Sequence, residues 1–386
     1  MRVIVALGIA AAAAPAALAA LHLTALAGAS LLHRAPRRDL AGEGVALLVL
    51  IPAHNEERVI GETLAALMPQ QRSGDHVIVA ADRCTDGTAT LARAFGATVL
   101  ERAPESPPGR AATVEHGLSF AAPLAWDGVV VIDADSVVEP GFLDAIRAGL
   151  AAGAPALQAR SESIPERGVI ANLALAAYTL RGVLVPRGRH VLGVCVRMQG
   201  SGMALRRDVL ARHRFRARGA SEDLWLSMDL LLDGVLPRFA DGARLRSQSA
   251  RSLRAASRQR LRWESGRILA AQEFLVPLLR RRDRACLEAA LHLLTPPVAV
   301  SGLLLGMAAA LEWWAGFPWV ALVAAGLLAA LAVDVAVALA EARAPLRTWL
   351  SLLSAPLYVA WKAAIQVWAL FSLRQARVPY APTPRA

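Results

Sequence analysis

Hydrophobic and polar positions follow three different rhythms along this chain. Residues 3–32 are almost uninterruptedly apolar, bounded by Arg2 on one side and by Arg34, Arg37 and Arg38 on the other. A run of that length exceeds the roughly 7 to 15 residues of a signal-peptide core, and no clear cleavage site precedes the basic cluster, so residues 1–33 are predicted to be an uncleaved membrane anchor. Over 34–245 short apolar runs alternate with helical periodicity. Residues 45–51, 76–80, 97–101, 128–132 and 156–160 read as strands, and 56–68, 88–95, 110–121 and 140–152 as helices. That alternation builds βαβ units and predicts an α/β domain, doubly wound around a mostly parallel sheet. Gly128-Val129-Val130-Val131-Ile132 is a continuous β-branched run, the pattern of a strand buried on both faces.

The third rhythm begins after the domain. Residues 246–285 are basic and helical in pattern, and 286–376 are apolar again. Two spans are predicted, 289–311 and 319–340, separated by Glu312-Trp313-Trp314-Ala315-Gly316-Phe317-Pro318, whose aromatics suit a membrane interface. The stretch 346–372 carries Lys362 and Gln366 in its middle, which leaves a span and an interfacial or re-entrant helix both open; Asp334 raises the same question within the second span. Residues 377–386 read as a tail.

Composition changes this picture only in detail. The chain has 386 residues, 55% hydrophobic, and a formal charge of +11. The charge comes from arginine clusters at 34–38, 244–262 and 280–284, all beside apolar segments, where they mark a cytoplasmic face and attract anionic lipid. No basic patch interleaved with aromatics points to nucleic acid. The three cysteines, Cys84, Cys195 and Cys286, are far apart and lack CxxC spacing, which argues against a disulfide framework or a structural zinc site.

The chemistry centres on Asp133-Ala134-Asp135, which follows the buried run at 128–132 and so lies at the carboxyl edge of the sheet, where open α/β sheets bind ligands. Two carboxylates one residue apart repel unless a cation joins them, and a hard divalent metal carrying a diphosphate does so. Pro52-Ala53-His54-Asn55-Glu56-Glu57 and the loop with Asp82 and Asp86 end the first two strands at the same edge. Each has an ordinary explanation, Asn55 as a helix cap and Asp86-Gly87 as a turn, but their convergence on one edge favours a ligand site. Arg110, behind Pro107-Pro108-Gly109, can fork onto phosphate oxygens or be a surface arginine. Gly200 and Gly202 allow close approach of backbone to a sugar. Ser221-Glu222-Asp223 opens a helix; beyond capping it, Asp223 can take a proton from an acceptor hydroxyl. Gln259, Arg262 and Trp263, at i, i+3 and i+4, share one helix face that presents an amide, a guanidinium and an indole, while Arg254, Arg258 and Arg260 suit a bilayer surface.

In this order, Pro52 to Glu57, Asp82 with Asp86, Asp133-Ala134-Asp135, Ser221-Glu222-Asp223 and Gln259 to Trp263 resemble the membrane-bound glycosyltransferases of family 2, the group of cellulose, chitin, hyaluronan and poly-N-acetylglucosamine synthases. The resemblance covers about residues 45–265 and the helices beyond. It implies a GT-A fold, inversion at the sugar, and a nucleoside-diphosphate sugar donor, uridine diphosphate favoured, with magnesium or manganese. Carried over position by position, it puts Asp82 on the nucleoside base, Asp133 on the nucleotide and Asp135 on the metal. Asp223 becomes the general base, and Gln259, Arg262 and Trp263 hold diphosphate and acceptor. Pro52, Asn55, Glu57, Arg110 and Gly202 belong to the same substrate-binding set. Ser221 stands where threonine is common, and Arg110 where a lysine is usual.

The expected acceptor is a cell-envelope polysaccharide, with an accessory subunit for export since three or four membrane segments are few for a channel. Single-sugar transfer to a membrane lipid, as in ceramide glucosyltransferase, and a non-catalytic nucleotide-binding subunit are the alternatives. Charge places the catalytic domain in the cytosol of a bacterial cell, on a multi-pass protein of the cytoplasmic membrane whose N-terminus faces out.

Overall fold

A computed structural model of the protein describes residues 2–34, 44–164, 169–216, 221–247 and 253–372. Arg37, Arg38 and the 377–386 tail lie outside these residues. The chain begins with helix α1 (Arg2–Ser30). Then β1 (Leu47–Ala53), α2 (Ile60–Leu67), β2 (His76–Asp82), α3 (Thr88–Ala94), β3 (Thr98–Arg102), α4 (Arg110–Ala121) and β4 (Gly128–Val131) alternate. β5 (Ser136–Val138), α5 (Phe142–Ala151) and β6 (Ala156–Ser163) follow. A helical segment comes next: α6 (Val169–Thr179), a π-helical turn (Leu180–Leu184) and α7 (Val185–Val191). β7 (Met203–Arg206), α8 (Arg207–Leu210), α9 (Glu222–Leu232) and β8 (Arg238–Ser247) complete the sheet region.

The eight strands form one sheet in the order β3-β2-β1-β4-β7-β6-β8-β5. β3, β2, β1 and β4 run parallel, as the βαβ reading expected. β7 is antiparallel to both β4 and β6, β6 is parallel to β8, and β5 is antiparallel to β8, so the far half is mixed. Successive β1 residues enter opposite cores: Leu47, Val49 and Ile51 pack with α2 and α5, Leu48 and Leu50 with α4 and α9. Burial on both faces explains the continuous apolar runs.

Two local details shape the ligand edge. Strand β1 continues through Pro52 and Ala53, which pair with Ala80 and Ala81 of β2, rather than stopping at the proline. On the β4 side, Ile132 donates to Leu50 O at 3.0 Å, and Pro52, with no N–H, cannot continue that ladder. β1 and β4 therefore part just before Asp133. The helix expected from Glu56 begins a turn later, at Ile60, because Asn55 takes a left-handed conformation (φ 55°) and 56–59 form a turn.

Beyond the sheet lie α10 (Leu253–Arg281), α11 (Arg284–Leu294), α12 (Val298–Trp314), α13 (Pro318–Glu341), α14 (Leu346–Ser351) and α15 (Ala355–Ser372). Among the described residues three segments, Arg2–Ser30, Pro318–Glu341 and Leu346–Phe371, are long and apolar enough to cross a membrane. The span expected over 289–311 is broken: α11 and α12 meet at a 68° bend, where Pro296-Pro297 removes two backbone donors and forces Thr295 out of helical geometry. α1, α12 and α13 share an alanine- and leucine-lined core that also receives Leu180 and Leu184 of the π-turn. Three of the polar groups inside the apolar helices have partners, whereas the buried Glu312 carboxylate of α12 accepts no hydrogen bond from the described residues. Thr24 donates to Asp334 at 2.8 Å, and Lys362 of α15 reaches Glu264 of α10 at 3.4 Å. In the amide orientation its neighbours demand, Gln366 donates to Glu264 and accepts from Arg267.

Candidate active site

The loops after β1 and β2 are clipped together before they meet any ligand. Asn55 accepts from Thr85 N at 2.8 Å, Glu57 accepts from Gly87 N at 2.7 Å, and Glu57 N donates to Asp86 at 3.2 Å. Asn55 and Glu57 thus brace the edge and do not line its cavity, whereas Pro52, His54, Glu56 and Asp82 do. Burial acts to raise the Asp86 carboxyl, but bonds from Thr88 and Glu57 outweigh it and hold the pKa below the ordinary value.

Asp82 is buried at the end of β2 and held by two arginines, Arg102 at 2.6 Å and Arg83 at 3.1 Å. Arg102 also donates to Thr113 and to Pro107 O, so one buried guanidinium ties the tip of β2 to the start of α4. The Asp82 carboxylate is a rigid acceptor in the cavity wall.

Across the gap between β1 and β4, Arg110 organises the centre. It donates to Asp133 Oδ1 at 2.7 and 3.0 Å, to Glu222 at 2.6 Å and to Gly200 O at 2.7 Å. Burial opposes its charge, and Asp133 and Glu222 outweigh that cost and hold its pKa above the ordinary arginine value. Of the pair at the end of β4, Asp133 is 37% exposed and lines the cavity, while Asp135, the expected metal ligand, is buried and is not among the lining residues. Among the described residues no group of three or more His, Cys, Asp or Glu side chains encloses a metal position. Two neighbouring carboxylates without a protein cage fit a magnesium- or manganese-type ion that draws its other ligands from a diphosphate and water.

Gly200 (φ +85°) sits between the two halves of the site: a Cβ there would lie 3.8 Å from an Asp223 oxygen and 3.9 Å from an Asp133 oxygen. Gly202 serves packing instead, since a Cβ there would meet Leu245 at 2.6 Å and Ala159 at 2.7 Å. Asp223, in the first turn of α9, has a pKa pushed up to about 6. Burial raises it most and Glu222 adds to the rise, against the opposing charges of Arg181 and Arg110. The far wall is α10, from which Gln259, Arg262 and Trp263 all face the cavity. The guanidinium of Arg181, in the π-turn, stacks 4.7 Å from the Trp263 ring centroid and lies 4.0 Å from Asp223.

The cavity, about 210 Å³, thus gathers Pro52, Asp82, Arg110, Asp133, Asp223, Gln259, Arg262 and Trp263 of the expected set. It adds Thr113, Arg181, Gln199 and Glu222, which had no assigned role. Glu222 stood beside Asp223 as a first-turn acid. Arg181 had no local signal, because a π-turn cannot be read from an apolar helical run.

Residues 45–266 match the family model described as glycosyltransferase like family 2. The chain belongs to this family. Its fold is of the GT-A type. Over 69 residues this family 2 member is 44% identical to 4,4'-diaponeurosporenoate glycosyltransferase of Staphylococcus aureus (strain USA300); the match spans only 18% of each chain. The structure of a mannosyltransferase from Pyrobaculum calidifontis in complex with GDP-Man and Mn2+ covers 92% of this chain and 99% of its own, with 20% identity and a TM-score of 0.50, a likeness of fold. Glucosyl-3-phosphoglycerate synthase from Mycobacterium tuberculosis, in complex with Mn2+, uridine diphosphate and glucosyl-3-phosphoglycerate, covers 58% of this chain and 82% of its own, with 25% identity and a TM-score of 0.40.

Proposed function

We infer that the protein is a glycosyltransferase that moves one sugar, with inversion, from a nucleoside-diphosphate sugar to an acceptor held in the membrane. The observation that carries this is a row of aromatic side chains leading from the cavity to an apolar helix. Trp263 meets Tyr178 edge-on at 6.5 Å, Arg260 lies 5.8 Å from Tyr178 and 5.3 Å from Trp361, and Trp361 meets Tyr358 at 5.5 Å. Tyr358 and Trp361 belong to α15, where Leu357 is 76% exposed, and Leu353 in the turn just before it is 85% exposed. An amphiphile fits such a path, with its head among polar and aromatic groups and its tail along apolar surface. The partial relative named for a diaponeurosporenoate acceptor supports the same reading over the polysaccharide acceptor.

In this reading Asp82 accepts from the nucleoside base, favoured as uracil, and Asp133 and Arg110 orient the nucleotide. Asp135, together with Asp133, would hold Mg2+ or Mn2+, which when bound supplies the positive charge that stabilises the departing diphosphate. Asp223 takes the proton from the acceptor oxygen as that oxygen attacks the anomeric carbon; a carboxylate poised near pH 6 is basic enough to help and still ionised at pH 7. Gln259, Arg262 and Trp263 position the diphosphate and the acceptor. The catalytic domain is cytosolic, on a multi-pass protein of the bacterial cytoplasmic membrane.

The test is turnover of a panel of radiolabelled nucleotide sugars by the purified protein in native-like lipid with Mg2+ or Mn2+. A lipid-extractable product bearing one sugar supports this reading. A high-molecular-weight product would replace it with polymer synthesis, and no turnover of any donor would overturn it.

A further inference from the structure

We propose that Arg181 is a positioning residue for the acceptor step, holding Asp223 and Trp263 in one fixed geometry from the π-turn between β6 and β7. The inference rests on the assignment of Asp223 as the base. Three independent restraints place Arg181. Its neighbour Gly182 lies so close to β6 that a Cβ would fall 1.9 Å from Ser161 O, so the turn is pressed onto the sheet at the only residue that allows it. The Arg181 carbonyl accepts from Gln199 Nε2 at 2.8 Å, and Gln199 N donates to Gln158 at 2.9 Å, which ties the turn to the strand β6 a second time. Leu180 and Leu184, flanking Arg181, are buried against α1. The widened turn is what brings this one side chain to the cavity, and π-turns inside helices recur at functional sites.

From this anchored backbone the guanidinium spans two catalytic walls. It stacks on Trp263 of α10 and faces Asp223 of α9, so it joins two elements that are distant in sequence. The charged groups around Asp223 are Glu222 on its own helix, Arg110 from α4 and Arg181 from the π-turn, and Arg262 and Asp133 line the same cavity. Arg110 is committed to Asp133, Glu222 and Gly200. Arg181 is therefore the cation that sets the orientation of the base relative to the indole. A Lys at this position keeps the charge and loses the planar stacking surface.

The experiment compares the wild type with Arg181→Gln and Arg181→Lys in full-length protein. The carboxyl of Asp223 is followed by 13C NMR titration of aspartate-labelled protein, with Asp223→Asn identifying the signal, which needs no substrate. Acceptor KM is measured with the acceptor found by the donor panel. In Arg181→Gln the Asp223 titration moves up by about one pH unit, the low end for an opposite charge at this distance because Arg181 is 41% exposed. Acceptor KM rises roughly two- to fivefold, as loss of one partly exposed stacked cation implies. Arg181→Lys leaves the titration in place and raises acceptor KM alone. A folded Arg181→Gln protein with unmoved titration and unchanged acceptor KM overturns the proposal, while an inactive Asp223→Asn leaves the base assignment standing. Retained transfer in Asp223→Asn overturns the base assignment and this proposal with it. Should Arg181→Gln fail to fold, Arg181→Lys decides: wild-type acceptor KM overturns the stacking role.

Discussion

Gly266→Ala in α10 tests whether the distance between α9 and α10 sets the rate. A Cβ at Gly266 would lie 2.0 Å from Ser221 Oγ and 2.7 Å from Ser221 Cβ. The hydroxyl can rotate away, but the Cβ cannot. Reaching ordinary contact at 3.4 Å requires the helices to separate by about 0.7 Å. Overpacking of this kind costs about 1 to 3 kcal/mol, and alanine regains about 1 kcal/mol of helix propensity, so the net loss of stability is about 0 to 2 kcal/mol. The rate suffers more. Ser221 immediately precedes Glu222 and Asp223, and Gly266 follows Trp263 by three residues, so the displacement opens the space between base and acceptor wall. A misplacement of about 1 Å costs on the order of 100-fold, which puts the expected loss of kcat at about 10- to 100-fold, or roughly 1.4 to 2.7 kcal/mol of barrier. Steady-state transfer assays read this, with thermal unfolding in detergent as the control. Ser221→Gly in the same chain removes the clashing atoms without losing a cap, since the Ser221 side chain makes no capping hydrogen bond to α9, and restores most of the rate. Wild-type kcat in Gly266→Ala, or no recovery in the double variant, would refute the link between this helix contact and the rate.

Asp135→Ala and Asp223→Ala are each expected to abolish transfer while leaving a folded, membrane-inserted protein; activity in both, measured on detergent-purified variants, removes the mechanism. Transfer rises with pH through about 6, because Asp223 must be ionised to accept a proton, and a rate flat from pH 5 to 8 contradicts that role. The same raised pKa carries a stability signature. Its folded value lies above the unfolded carboxyl's, so its contribution is present at acid pH and lost as pH rises towards 6, and Asp223→Asn is expected to unfold at a higher temperature than the wild type at pH 7.5. Chelation with EDTA stops transfer, and Mn2+ or Mg2+ restores it; full activity after exhaustive chelation excludes the role given to Asp135.

The parallel half of the sheet and most of the cavity were legible in the sequence because their signals are local. The apolar runs at 45–51, 76–80 and 128–132 are continuous since both faces are buried, and parallel strands put their last residues at one edge. The ends of parallel strands alone therefore bring Asp82, Asp133 and Pro52 to one edge. Gln259, Arg262 and Trp263 were equally accessible, because the helical period alone puts them on one face, and all three line the cavity. Asn55, Glu57 and Gly202 show where local signals stop: the first two are spent on bracing loops and the third on contact with β6 and β8.

What the sequence determined by itself was what periodicity and backbone chemistry control: the apolar N-terminal helix, the βαβ alternation, and the carboxylates at strand ends. Tertiary structure alone decided what depends on elements distant in sequence. It turned β7 against β4 and gave Lys362 its partner Glu264, 98 residues away. It also brought Arg181 onto Trp263 and beside Asp223. The physical reason is range. Hydrophobic period and proline geometry act over one or two turns, whereas the pairing of charges, the stacking of a cation on a ring and the burial that raises the Asp223 pKa depend on side chains that only folding makes neighbours.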